Sequence, residues 1–294
     1  MLRSLLVLAA VATAAPATAE PMTVLPNGLP VAHVSVEGHG PFRFIIDTGA
    51  SSTAVLPALH AALPVRLETA ARQSLNGAGG AQSVDLLQLN RLGVAGRLEQ
   101  GLRAFDLPDG PVNQMGVHGV LGADVLARYE LEIDVPGRRW SLRTPSAQAP
   151  TRASATVPFT LDDASAPRLT VTVDGKAIPA MLDTGARGTI INWAAARALG
   201  VQPSDPGLKA NGAAEGATTG ATALVAKQFK ELRIGDFANA DPKLMIGDLP
   251  FFAVLGLADK PGMILGIDQL SARPFVVDYA RGVLRIAAAP PARP

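Results

Sequence analysis

The sequence predicts a mainly β protein of two homologous lobes related by a pseudo-two-fold axis, with a short helix after the same turn in each. Three observations predict it. The stretch VSVEGHGPFRFIIDTGASSTAV (Val34 to Val55) returns as VTVDGKAIPAMLDTGARGTIIN (Val171 to Asn192), the mark of an internal duplication. Apolar residues alternate ahead of both Asp-Thr-Gly triplets, the period-two signature of strands. Glycine-rich, turn-forming segments then follow at nearly equal distances in both copies.

Taken in order, the chain opens on targeting sequence. Met1-Leu2-Arg3 is a short basic start, an apolar run extends from Leu5 to Ala15, and Ala17-Thr18-Ala19 suits a cleavage site. The run is short of the roughly 20 residues a membrane span needs. Residues 1–19 are therefore expected to be a signal peptide, with a mature chain from about Glu20 in the periplasm or secreted. The first lobe is expected over residues 20–145. In it, Glu20 to Pro30 is short enough to be a strand between lobes, and Glu37-Gly38 suits a tight hairpin. A strand then enters Asp47-Thr48-Gly49-Ala50, and a helical stretch follows from Pro57 to Leu63. LNGAGGA (Leu75 to Ala81) offers an Asn-Gly pair of the kind that favours a type I′ turn. GVLGADVL (Gly119 to Leu126) and the strand LEIDV around Asp134 close the copy.

SAQAPTRASA, residues 146–155, has linker composition. The second lobe, expected over 156–286, repeats the plan: hairpin at Asp174-Gly175, then Asp183-Thr184-Gly185-Ala186. Its helix from Trp193 to Leu199 is capped by Asn192 and stopped by Gly200. ANGAAEGA (Ala210 to Ala217), MILGIDQL (Met263 to Leu270) and FVVDY around Asp278 complete it. The Asp-Thr-Gly sites are 136 residues apart (183 − 47), whereas Gly122 and Gly266 are 144 apart (266 − 122). The second copy has thus gained eight residues (144 − 136), expected in the loop around Asp248 to Lys260. Residues 287–294, rich in Ala and Pro, are expected to be a disordered tail.

FIIDTGASST with GVLGAD, and AMLDTGARGT with MILGID, resemble the retropepsin-like and pepsin-like aspartic peptidases. The likeness covers nearly all of the mature chain and points to exported bacterial members with both lobes in one polypeptide. It implies closed, barrel-like acid-protease lobes and a catalytic pair, Asp47 and Asp183. Two carboxylates held close on a two-fold axis share one proton. The ionised partner then acts as base on a water while the protonated one polarises the substrate carbonyl. By the same resemblance, Thr48 and Thr184 fix the two loops, Gly49 and Gly185 allow close approach, and Ala50 and Ala186 complete the motif. Asn76, Gly77, Ala78 and Gly79, and Asn211 with Gly212, become flaps over an extended peptide; the plainer alternative is surface hairpins. Neither segment has the tyrosine of pepsin-like flaps, which favours the retropepsin-like branch.

The remaining residues narrow the field. A formal charge of +1 with no basic cluster gives no nucleic-acid footprint. The absence of cysteine excludes disulfide staples and lipid attachment through a thiol. His33, His39, His60 and His118 lack metal-ligand spacing, so neither metal nor cofactor is expected. Asp124 and Asp268 are read as structural hydrogen-bonding groups, and Ser51-Ser52 lacks the context of a nucleophile. Arg187 is expected to form an ion pair with Asp268 in its own lobe or Asp124 across the junction, or, if exposed, to contact substrate. The expected partner is an extended peptide or protein substrate, and the expected unit a monomer, because one chain supplies both aspartates. The alternatives are a non-catalytic exported peptide-binding module of the same fold and an assembly protein that uses its sheet for partner contact.

Overall fold

The computed structural model describes residues 19–77, 79–145, 153–214, 216 and 220–288. Outside them lie the predicted targeting segment up to Thr18, the first seven residues of the predicted linker, Ala78 and the tail from Ala289. Among the described residues, no helix is long and apolar enough to cross a membrane.

The architecture is mainly β and two-lobed. In the first lobe, strands Pro30–Val36, His39–Ile46, Gly119–Leu121, Ala54–Val55, Arg97–Asp106 and Gly80–Val94 pair in that order. The last returns to the first, closing a six-stranded barrel. The second lobe repeats the path with an opening. Its counterparts of the two long strands are each split, into Thr222–Gln228 and Glu231–Ile234, and into Phe237–Ala240 and Lys243–Ile246. The break falls at Asp241, which has φ of 49°, and Pro242, which has no N–H to give the ladder. A half-barrel sheet results.

A third sheet joins the lobes. Glu130–Asp134 pairs antiparallel with Phe275–Asp278, and each is backed by its own partner strand, Arg139–Arg143 or Val283–Ala287. The outer positions are taken by Glu20–Pro21 and by Ala153–Pro158. The last of these begins within the segment read as linker. Leu131 opposes Val277 and Ile133 opposes Phe275, a register that the 144-residue repeat maps onto itself. The pseudo-two-fold axis therefore passes between these strands.

The hairpin expectations hold in detail: Glu37 and Asp174 have φ of 51° and 45°, followed by Gly38 and Gly175 at 82° and 79°. Helices Pro57–Ala62 and Trp193–Ala198 lie where expected, and Asn192 Oδ1 accepts from Ala195 N at 2.8 Å. The gained residues are distributed differently. Ala54 registers with Phe105, and Ile190 with Met245, an offset of 140 (245 − 105). Four extra residues therefore precede Met245 and only four lie in the loop after it. Those four accompany a one-turn helix, Phe251–Val254, that lies beside the first lobe's strand Glu68–Gly77.

Candidate active site

Asp47 and Asp183 stand at equivalent points. Strand His39–Ile46 delivers Asp47, and Asp183 ends strand Lys176–Asp183. Each strand runs parallel to the short strand that begins the Gly-Val-Leu-Gly or Met-Ile-Leu-Gly motif. The turn after each aspartate passes between neighbours so close that a Cβ at Gly122 would lie 2.4 Å from the Ser52 carbonyl carbon. One at Gly266 would lie 2.7 Å from that of Gly188. Only glycine fits there.

The two turns are locked together by their threonines, both fully buried. Thr48 Oγ1 donates to the Leu182 carbonyl at 3.0 Å and accepts from Thr184 N at 3.1 Å. Thr184 Oγ1 donates to the Ile46 carbonyl at 2.7 Å and accepts from Thr48 N at 3.1 Å. Both hydroxyls and both amides of this crossed pair are satisfied by the opposite lobe.

The carboxylates lie directly above. Asp47 Oδ1 accepts from Gly49 N and Ala50 N at 2.8 and 3.0 Å; Asp183 Oδ1 accepts from Gly185 N and Ala186 N at 2.9 Å each. A Cβ at Gly49 would come within 2.6 Å of Asp183 Cγ, and one at Gly185 within 2.3 Å of Asp47 Cγ. Each glycine thus gives room to the opposite aspartate. The two carboxyl groups are hydrogen-bonded to each other. Burial, then the Asp47 charge, pushes Asp183 well above the usual carboxylate range. Asp47 is also raised by burial, against the opposing pull of the Gly49 N–H, the Asp183 hydrogen bond and the Ala50 N–H. A pair in this state retains one proton between them at a pH where solvated carboxylates would both be ionised.

Asp124 and Asp268 have matched positions below. Asp124 accepts from Thr53 N and Oγ1, both at 2.8 Å, and Asp268 from Thr189 Oγ1 at 2.7 Å. In turn Thr53 Oγ1 accepts from Gly122 N and Thr189 Oγ1 from Gly266 N. Thr53 and Thr189 escaped the sequence reading, although both lie six residues after an aspartate in the repeat. Tyr279 was also missed. It is buried edge-on to Phe159 at 6.0 Å, and its hydroxyl is pushed up by burial and by the Asp47 charge.

The expected ion pair of Arg187 does not form. Arg187 is exposed, and both proposed partners are engaged by threonine hydroxyls. The nearby backbone and hydroxyl donors satisfy those acids without drawing a long, solvated guanidinium inward.

The Asn-Gly pairs are displaced from their expected geometry. In the first hairpin Gly77 opposes Gly80, Gly79 lies in the turn, and Asn76 still pairs with Ala81. Asn211 and Gly212 lie lower on theirs, at a register shift between Ala210 and Ala213. Gly212 adopts φ of 72° there. They form a bulge, not a turn, and are not equivalent to Asn76 and Gly77. Ladder register decides this, because an extra residue on one strand is absorbed by a bulge. The two hairpins nevertheless meet: a Cβ at Gly220 would be 2.5 Å from the Gly79 carbonyl oxygen. Ala78 lies outside the described residues.

Among the described residues, no group of three or more His, Asp or Glu side chains is placed to hold a metal. Comparison with known proteins gives one family: the model for aspartyl proteases matches residues 32–125 and again residues 169–269. No curated protein matches the chain. The two matched regions together cover more than half of the sequence and coincide with the two lobes. The chain belongs to the retropepsin-like aspartyl protease family, with the family's fold present twice in one polypeptide.

Proposed function

We propose that this protein is an exported, single-chain aspartic endopeptidase that hydrolyses peptide bonds with a water activated between Asp47 and Asp183. The observation that carries this reading is the pair of partly buried carboxyls held face to face at the lobe junction, each beside the opposite turn's glycine and raised above the usual range. The ionised carboxylate takes a proton from water, and the oxygen attacks the scissile carbonyl. The protonated partner gives its proton to the carbonyl oxygen, producing a neutral tetrahedral diol. The newly protonated carboxyl then gives its proton to the amide nitrogen while the ionised one takes a proton from a diol hydroxyl, so the C–N bond breaks, the product carboxyl forms and the pair again holds one proton. Neither a covalent intermediate nor a cofactor takes part.

The crossed threonines hold the reacting carboxyls in register, which is where orientation contributes to rate. The meeting of the Gly79 and Gly220 regions supports two flaps that must part to admit substrate and then cover it. An extended peptide would pair its backbone with such edges. The apolar segment from Leu5 to Ala15 supports export, and one aspartate from each lobe supports an active monomer.

The pH–rate profile tests this reading. A pair that must hold one proton gives a bell whose alkaline limb falls as the second carboxyl ionises. Peptide turnover is expected to peak below neutrality and to be insensitive to chelators and to serine- or cysteine-directed reagents. Undiminished turnover at clearly alkaline pH contradicts it.

A further inference from the structure

The two lobes are near copies around the carboxyl pair, so a peptide has no reason from the backbone alone to lie in one direction rather than the other. The copies differ at the residue after Asp-Thr-Gly-Ala: Ser51 in the first lobe and Arg187 in the second, both exposed. Arg187 has no ion-pair partner among the described residues, and acids of its lobe near it in the chain or in the repeated motif are engaged elsewhere. Asp183 accepts from Gly185 N and Ala186 N, Asp268 from Thr189 Oγ1, and Asp248 from Trp193 N. Beside Arg187 in the chain, Ala186 packs on the second lobe's own small hydrophobic cluster, and a Cβ at Gly188 would meet Met245 of the same cluster. A lone cation thus stands at one of two symmetry-equivalent places beside the candidate dyad.

We propose that Arg187 is the specificity-determining residue that breaks the pseudo-symmetry, by recognising an acidic side chain of the peptide on its own side of the scissile bond. This rests on the peptidase reading and adds to it a substrate class and a binding direction. A planar guanidinium with no internal carboxylate is matched by a substrate carboxylate. Ser51, neutral and short, offers no such attraction at the mirror position. Because the site is at an exposed rim, the effect is moderate and salt-sensitive.

A peptide library with Glu or Gln placed at each of four positions either side of the cleaved bond tests the idea. The wild-type protein is expected to prefer Glu over Gln by about five- to tenfold in kcat/KM, on one side only. Arg187→Ser brings that ratio towards one. In the exchange variant Ser51→Arg/Arg187→Ser, the preference moves to the mirror position across the bond. Should the exchange variant fail to fold, Arg187→Glu gives a second reading, turning the preference from Glu towards Lys at the same position. Cleavage with Glu/Gln ratios near one throughout, or selectivity unchanged in Arg187→Ser and Arg187→Glu, overturns the proposal and leaves the peptidase reading standing. If the wild type cleaves no peptide, the peptidase reading fails and this inference fails with it.

Discussion

Thr184 donates to one strand's carbonyl and accepts from the other turn's amide, so its hydroxyl fills both capacities within a fully buried site. Thr184→Ala leaves a buried carbonyl and a buried N–H without partners, a loss of about 1–3 kcal/mol each where no water enters. Thr184→Ser keeps the hydroxyl, so thermal unfolding should show a large loss for alanine and a small one for serine. The carboxyls give a pH-dependent expectation. Asp183 is raised above its unfolded value, so the stability linked to its protonated form is present at low pH and is lost as pH rises through the folded value. Asp183→Asn removes that penalty while preserving an oxygen acceptor for Gly185 N and Ala186 N. It should therefore raise the melting temperature at neutral pH, have much less effect near pH 4, and abolish turnover throughout. An Asp183→Asn protein less stable than wild type at neutral pH would contradict the raised state of the pair.

The strands, hairpins and helices were legible wherever chemistry is local. Glu37-Gly38 and Asp174-Gly175 form tight turns because the glycine takes its left-handed place without strain, and Asn192 caps a helix as its sequence position suggests. The two glycine-rich segments were legible as hairpins but not in register. Asn211-Gly212 has the same dipeptide as Asn76-Gly77, yet one forms a bulge and the other a near-tip strand pair. Register belongs to the partner strand and is not written in the dipeptide. The position of the gained residues was likewise hidden, because half were spread through the segment before Met245. Arg187 was misread for a related reason: threonines not singled out beforehand satisfy the acids expected to pair with it. The bulge gives a prediction at this scale. Gly212 has φ of 72°, where alanine costs about 1 kcal/mol. Gly212→Ala should increase hydrogen exchange across Lys209–Gln228 and raise KM more than it lowers kcat. Exchange unchanged in this segment would show that the bulge does not control the hairpin.

Across the molecule, the lobes are joined by a charged cluster on the shared sheet as well as by the threonines. Glu130 of the first lobe lies opposite Asp278 of the second, and Arg281 reaches both, at 3.0 and 2.8 Å. Arg285 reaches Asp278 at 2.9 Å, and Arg143 approaches Glu130 at 3.5 Å. Burial pushes the Asp278 carboxyl up, but hydrogen bonds from Arg281 and Arg285 outweigh this and hold it below the usual range. Its stabilisation is therefore complete above the unfolded carboxylate value and is lost as pH falls through the folded one. The lobe junction thus sets an acid limit on a site whose proton-sharing sets an alkaline one. Asp278→Ala leaves the nearly buried Arg285 with the more distant Glu130 at 3.8 Å, at a cost of up to about 3 kcal/mol. Its melting temperature should fall at neutral pH and converge on wild type under strong acid; a loss of equal size at every pH would remove Asp278 from the acid limit. The central claim remains that one aspartate from each lobe forms a single catalytic pair. Its most direct test is digestion of one proteome-derived peptide library by wild type, Asp47→Asn and Asp183→Asn, each first shown to be folded. The account predicts cleavage by wild type alone, and turnover surviving in either variant would contradict it.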